Sequence, residues 1–165
     1  MIRGVHHISI STNNFDAMLT FYRDVIGLPF AASYDWPEGT PVADQVVGLE
    51  NSATRTALLR AGNTFVEIFH YSNPPGRDSL PGRPVNDAGL THICFDVVDV
   101  DAEYARLRDL GVEFHTEPVE FGGTVRTTYG RDPDGNVFEL QEVIAPDLAI
   151  DLENVVPDIR TQVIK

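Results

Sequence analysis

Two histidines and two glutamates, spread over the chain at corresponding points of a repeat, are the residues best suited to bind a metal. His7 opens the run His7-Ile8-Ser9-Ile10-Ser11, and His92 opens His92-Ile93-Cys94-Phe95-Asp96. Residues i and i+2 of a strand share a face. Ile8 and Ile10 therefore oppose His7, Ser9 and Ser11, while Ile93 and Phe95 oppose His92, Cys94 and Asp96. Glu67 lies across from Val66 and Ile68 on the face of Phe65, Phe69 and Tyr71, and Glu139 lies across from Phe138 and Leu140. A lone strand His or Glu is ordinarily solvated. Four at equivalent points form a ligand set, and imidazole plus carboxylate suits Zn, Fe(II), Mn, Ni or Co rather than Ca or Mg alone.

The repeat that relates them is visible in residue identities. His7, Ile8, Asp16, Ala17, Arg23, Asp24, Gly27 and Phe30 match His92, Ile93, Asp101, Ala102, Arg108, Asp109, Gly111 and Phe114. The offset falls from 85 to 84 along the way, so a single deletion aligns the copies. Each copy starts with a short alternating strand, then an Asn/Asp turn able to cap a helix. An amphipathic helix follows. Phe15, Met18, Leu19, Tyr22 and Val25 carry its apolar stripe in the first copy, and Val100, Tyr104, Leu107 and Leu110 in the second. Gly27 and Gly111 stand where a glycine ends a helix. Strand-like runs then cover 54–60 and 64–71, and 123–129 and 136–143, joined by Ala61-Gly62-Asn63 and by Asp132-Pro133-Asp134-Gly135. Each half is expected to be a βαβββ module.

These signals predict one domain over 1–145, made of modules 1–72 and 88–145 with a Pro/Gly linker at 73–87. Residues 31–53 read as an irregular excursion within the first module. The tail, 146–165, carries enough aliphatic residues to pack on this domain or on a partner chain.

Composition narrows the function. The chain has 165 residues, 42% of them hydrophobic, which argues for an ordered globular domain. With 12 Lys+Arg against 25 Asp+Glu, the net charge of −13 disfavours nucleic acid and anionic membrane partners. Lys165 is the sole lysine, which excludes a phosphate-binding GxxxxGK loop. One cysteine permits no internal disulfide, no apolar run approaches a membrane span, and no signal-peptide plan opens the chain. A cytoplasmic homodimer acting on a small molecule is the expectation.

The pieces Val5-His6-His7-Ile8, Phe21-Tyr22-Arg23-Asp24-Val25-Ile26-Gly27-Leu28, Gly62-Asn63-Thr64-Phe65-Val66-Glu67-Ile68, Gly89-Leu90-Thr91-His92-Ile93 and Asp132-Pro133-Asp134-Gly135-Asn136-Val137-Phe138-Glu139-Leu140 resemble the vicinal oxygen chelate superfamily over residues 4–144. That family includes lactoylglutathione lyases, methylmalonyl-CoA epimerases, fosfomycin-resistance and bleomycin-binding proteins, and extradiol dioxygenases. The resemblance implies an α+β fold of paired βαβββ modules forming an open eight-stranded cleft around one divalent metal. It implies His7, Glu67, His92 and Glu139 as ligands, the same four that periodicity selects.

A glutamate at position 67 resembles the four-ligand plan of the epimerases and lyases. There the metal stabilises charge after a proton leaves carbon, with Glu139 the candidate base and Glu67 the candidate acid. The runs around Glu67 and His92 resemble methylmalonyl-CoA epimerases most, although little positive charge is available for a coenzyme A phosphate. Where lactoylglutathione lyases carry a glutathione-binding Arg and Asn, this chain has Ser11 and Tyr71. The spacing from Tyr129 to Glu139 resembles the extradiol dioxygenases, the alternative activity, but Glu120, Phe121 and Gly122 fill the stretch where their catalytic His is expected. A non-catalytic binding protein is the further alternative.

Candidate substrate contacts are Ser9, Ser11, Phe65, Phe69, Tyr71, Arg126 and Tyr129. His6, His70 and His115 are expected off the metal face, and Cys94 is expected as a small buried residue.

Overall fold

Alternation and helical stripe resolve into two compact units, one within residues 1–78 and one within residues 82–156, which are the residues that the computed structural model describes. The end of the tail, 157–165, lies outside the described residues.

In the first unit, β1 (His7–Ser11) leads into α1 (Phe15–Thr20), whose last turn widens into a π-helical turn over Phe21–Val25. β2 (Phe30–Ala32), α2 (Pro41–Val47), β3 (Ala53–Ala61) and β4 (Thr64–Asn73) follow. The sheet is open and mixed, in the order β1-β4-β3-β2, with β1 parallel to β4. Its aliphatic face meets the helix: Met18, Leu59, Val66 and Ile68 are fully buried, and Tyr22 nearly so.

The second unit repeats this plan. β5 (His92–Asp96), α3 (Val100–Asp109), β6 (Val119–Phe121), β7 (Val125–Arg131) and β8 (Val137–Val143) form an open sheet ordered β5-β8-β7-β6, again with the first strand parallel to the last. Val100, Leu107 and Phe138 are fully buried in its core, and Leu140 nearly so. Two βαβββ modules, each an open four-stranded mixed sheet, are therefore present as expected. A short helix α4 (Leu152–Val155) follows.

The local signals act unequally. Asp99 caps α3 by accepting a hydrogen bond from the Ala102 amide, and Gly111 (φ 90°) ends that helix while the Val112 amide returns to the Leu107 carbonyl. In the first unit the Asn14 side chain makes no cap. The Thr12 hydroxyl accepts from the Asn14 amide instead. The excursion at 31–53 is more regular than its sequence suggests, because Pro41 starts α2 there. Two ion pairs at corresponding positions tie helix to sheet: Arg55 to Asp16 at 2.8 Å and Arg126 to Asp101 at 2.6 Å. Among the described residues no helix is long and apolar enough to cross a membrane.

Candidate metal centre

The parallel pairing of first and last strand puts a histidine near a glutamate in each unit. Register sets Ser9 opposite Glu67 in the first sheet and Cys94 opposite Glu139 in the second. His7 and His92 sit one step before these residues on the same face. His7 Nε2 lies 3.4 Å from Glu67 Oε2, and His92 Nε2 lies 3.1 Å from Glu139 Oε2.

Each carboxylate has further support. Ser9 donates to Glu67 Oε2 at 2.6 Å, and Leu58, buried on β3, is Glu67's cross-strand neighbour. Thr127 donates to Glu139 Oε1 at 2.5 Å, and Tyr129 is the cross-strand neighbour of Glu139. The far nitrogen of each imidazole is held too. His92 Nδ1 is 2.9 Å from Thr91 Oγ1, and His7 Nδ1 is 2.9 Å from His6 Nδ1. A hydrogen-bonded turn leads into β8: Asp132 Oδ1 accepts from the amides of Asp134 and Asn136, and Oδ2 accepts from the Asn136 side chain.

Two phenols and one thiol beside the pairs are shifted toward their protonated forms. Burial, then the charge of Glu67, raises the Tyr71 phenol above its ordinary value. Burial, then Glu139 and Cys94, does the same to Tyr129. Loss of hydration, then the charge and hydrogen bond of Glu139, pushes the Cys94 thiol up to about 12. Both phenols and the thiol are therefore available as hydrogen-bond donors at neutral pH.

Most of the candidate contacts share a face with a ligand candidate. Ser9 and Ser11 lie with His7, and Phe65, Phe69 and Tyr71 lie with Glu67. Tyr129 approaches His92, with ring centroids 5.0 Å apart. Arg126 does not join them. It lies on the opposite face of β7 from Thr127 and Tyr129, where Asp101 at the start of α3 holds it. His6 differs from expectation in the other sense: besides reaching His7, its ring stacks on Phe65 at 5.3 Å. His70 is bonded to the Thr12 carbonyl, whereas the ring of His115 lies 6.1 Å from Tyr129. Cys94 as a residue is exposed rather than buried, although its thiol beside Glu139 has lost part of its hydration.

Sequence reasoning missed Thr127 and Trp36. Thr127 was within reach of the same alternation argument, two residues before Tyr129. Trp36 was not, because its neighbours Phe69 and Tyr71 are more than thirty residues away in the chain.

Among the described residues no group of three or more His, Cys, Asp or Glu stands ready to hold a metal. What each unit offers is one imidazole-carboxylate pair. Two donors about 2.1 Å from one ion, and at right angles to each other, lie about 3 Å apart. Both pairs have that spacing, so their chemistry fits neighbouring positions on a divalent ion.

Known proteins resemble this chain over most of its length or a large part of it. It is 33% identical over 141 residues to biphenyl-2,3-diol 1,2-dioxygenase 3 of Rhodococcus globerulus, covering 82% of this chain and 60% of that one. It is 33% identical over 113 residues to 2-epi-5-epi-valiolone epimerase of an Actinomyces species, covering 64% and 57%. The crystal structure of a glyoxalase family protein from Bacillus cereus superposes with a TM-score of 0.77 at 26% identity, covering 88% of this chain and 97% of the other. Residues 4–140 match the family model itself, and the chain belongs to the Glyoxalase/Bleomycin resistance protein/Dioxygenase superfamily, the vicinal oxygen chelate family.

Proposed function

We propose that the protein is a divalent-metal-dependent isomerase or lyase, moving a proton on a small substrate chelated through two vicinal oxygens. His7, Glu67, His92 and Glu139 would be the ligands, with Zn, Ni, Co, Mn or Fe(II) as the ion. The observation that carries this reading is the repeated pair: an imidazole Nε2 beside a carboxylate oxygen at 3.4 Å in one unit and 3.1 Å in the other. A full set needs both pairs on one ion, drawn from one chain or from two copies of a cytoplasmic homodimer.

A bound ion supplies Lewis acidity toward the two substrate oxygens, which acidifies the adjacent carbon. This chain's residues would do the rest. Glu139, steadied at Oε1 by Thr127, receives the proton from carbon. Glu67, steadied at Oε2 by Ser9, delivers one on the other side. Phe65, Phe69, Tyr71 and Tyr129 would exclude water around the reacting carbon, and Ser9 and Ser11 would offer hydroxyls to substrate oxygens.

An Fe(II)-dependent ring-cleaving dioxygenase is the second reading. It is favoured by Tyr129 lying near two imidazoles, 5.0 Å from His92 and 6.1 Å from His115 by ring centroids.

Metal analysis of protein purified without added metal, repeated on Glu67→Ala, decides between them. Stoichiometric Zn, Ni, Co or Mn lost with Glu67 supports the isomerase or lyase, and deuterium exchange into acyl-CoA thioesters and hemithioacetals is then measured. Iron retained without Glu67, with oxygen uptake on catechols, moves the assignment to the dioxygenase. Absence of any bound metal overturns both and leaves a binding protein.

A further inference from the structure

We propose that Trp36, Phe69 and Tyr71 form a ring-binding subsite next to Glu67, so that the substrate carries a flat unsaturated ring beside its chelating oxygens. This rests on the reading of Glu67 as part of a chelating site.

The rings make a corner. Phe69 and Tyr71 stack with centroids 5.5 Å apart and planes 15° apart. Trp36 stands edge-on to both, at 5.9 Å and 65° from Phe69 and at 6.5 Å and 77° from Tyr71. All three are half-buried, so each keeps surface to offer. A flat ring placed there completes the offset and edge-to-face contacts that aromatic groups favour. A saturated ring of equal size buries similar area without that electrostatic match. Glu67, Phe69 and Tyr71 alternate along one face of β4, so the corner starts about 7 Å from the acid, the length of two strand residues.

A polar group belongs to the same corner. Thr54 is the cross-strand partner of Tyr71 and is 6% exposed, yet its Oγ1 has no hydrogen-bond partner among the described residues. A buried hydroxyl is rarely left unpaired, and an oxygen substituent on the bound ring would satisfy it.

The indole is aimed by a relay through the buried Ser52 rather than by its own segment. Trp36 Nε1 donates to Ser52 Oγ at 3.0 Å, and Ser52 Oγ donates to Asp44 Oδ1 at 2.6 Å. Asp44 also accepts from the amides of Ser52 and Asn51, and Ser52 is fully buried. On the backbone, the Thr54 amide donates to the Trp36 carbonyl at 2.9 Å. Trp36 is thus a specificity-determining residue, with Ser52 and Asp44 as its positioning residues.

Trp36 is the single tryptophan of the chain and so reports on its own site. The test titrates the full-length protein with mandelate and with hexahydromandelate, which share a vicinal hydroxy acid and differ only in ring saturation. Saturable quenching of Trp36 fluorescence, with mandelate about fivefold tighter, is expected from a gained aromatic contact. By calorimetry, Trp36→Leu should lose the preference and Trp36→Phe should keep most of it. Ser52→Ala should weaken it and lower the fluorescence anisotropy, as the indole loosens. Equal affinity for the two acids, no binding of mandelate, or a preference unchanged in Trp36→Leu overturns the subsite. A Trp36-dependent preference in a protein that binds no metal would keep the subsite and remove the chelation reading. Metal binding without the preference would do the reverse.

Discussion

Phe138 closes its ring over Gly130 across the β7–β8 ladder. A Cβ on the glycine would lie 2.8 Å from Phe138 Cε1, closer still to Cζ, and 3.1 Å from a ring carbon of Phe114. Gly130 follows Tyr129, and Phe138 precedes Glu139. Gly130→Ala should therefore overpack the second unit and cost about 1–3 kcal/mol, read as a lower urea midpoint at unchanged slope. An unchanged midpoint would mean that the ring has room to move.

The hydroxyls on the two acids should matter for metal more than for folding. Partners of this kind orient a ligand, and their loss typically weakens metal affinity about tenfold to a hundredfold. Ser9→Ala and Thr127→Ala should each do so in a competition titration against a chromophoric chelator, with circular dichroism unchanged. Wild-type affinity in both variants would argue that the carboxylates are held well enough without them.

Arg126 should prove dispensable for binding. It lies on the helix-side face and pairs with an exposed Asp101, an interaction worth about 1 kcal/mol or less. Arg126→Gln should leave metal and ligand affinity unchanged while lowering the melting temperature slightly. A loss of ligand affinity larger than the loss of stability would return it to the site.

Asp96 carries a pH dependence of definite sign. Burial, then the charges of Asp151 and Glu142, raises its carboxyl above the ordinary value of 3.8. A carboxyl raised on folding binds its proton more readily in the native state. Its charge thus opposes folding at neutral pH, and the opposition fades as pH falls through the raised value. Asp96→Asn should raise the melting temperature at neutral pH. The gain should vanish toward pH 3 and shrink in high salt, which screens the part due to Asp151 and Glu142. A gain that is constant across pH would show that ionisation is not its source.

Which side chains share a strand face was legible because that grammar is local. Alternation alone put His7 with Ser9, and Glu67 with Phe69 and Tyr71. The repeated His-Ile and Asp-Ala pairs showed that the second half reuses the first, and the Asp132–Gly135 turn marked where β8 begins. Each signal depends on residues a few positions apart, where backbone sterics and face periodicity act directly.

What the chain order did not reveal was which distant residues meet. The parallel register of β1 on β4 and of β5 on β8 decides that Ser9, and not Ser11, faces Glu67, and that Cys94 faces Glu139. The same level sends Arg126 to Asp101, draws His6 onto Phe65, and folds Trp36 back onto Phe69 and Tyr71 through Ser52 and Asp44. Residue type and spacing determine which side chains share a strand face. Their partners depend on how strands pair and on where an irregular segment closes, and those choices are made by burial and hydrogen bonding summed over residues far apart in the chain.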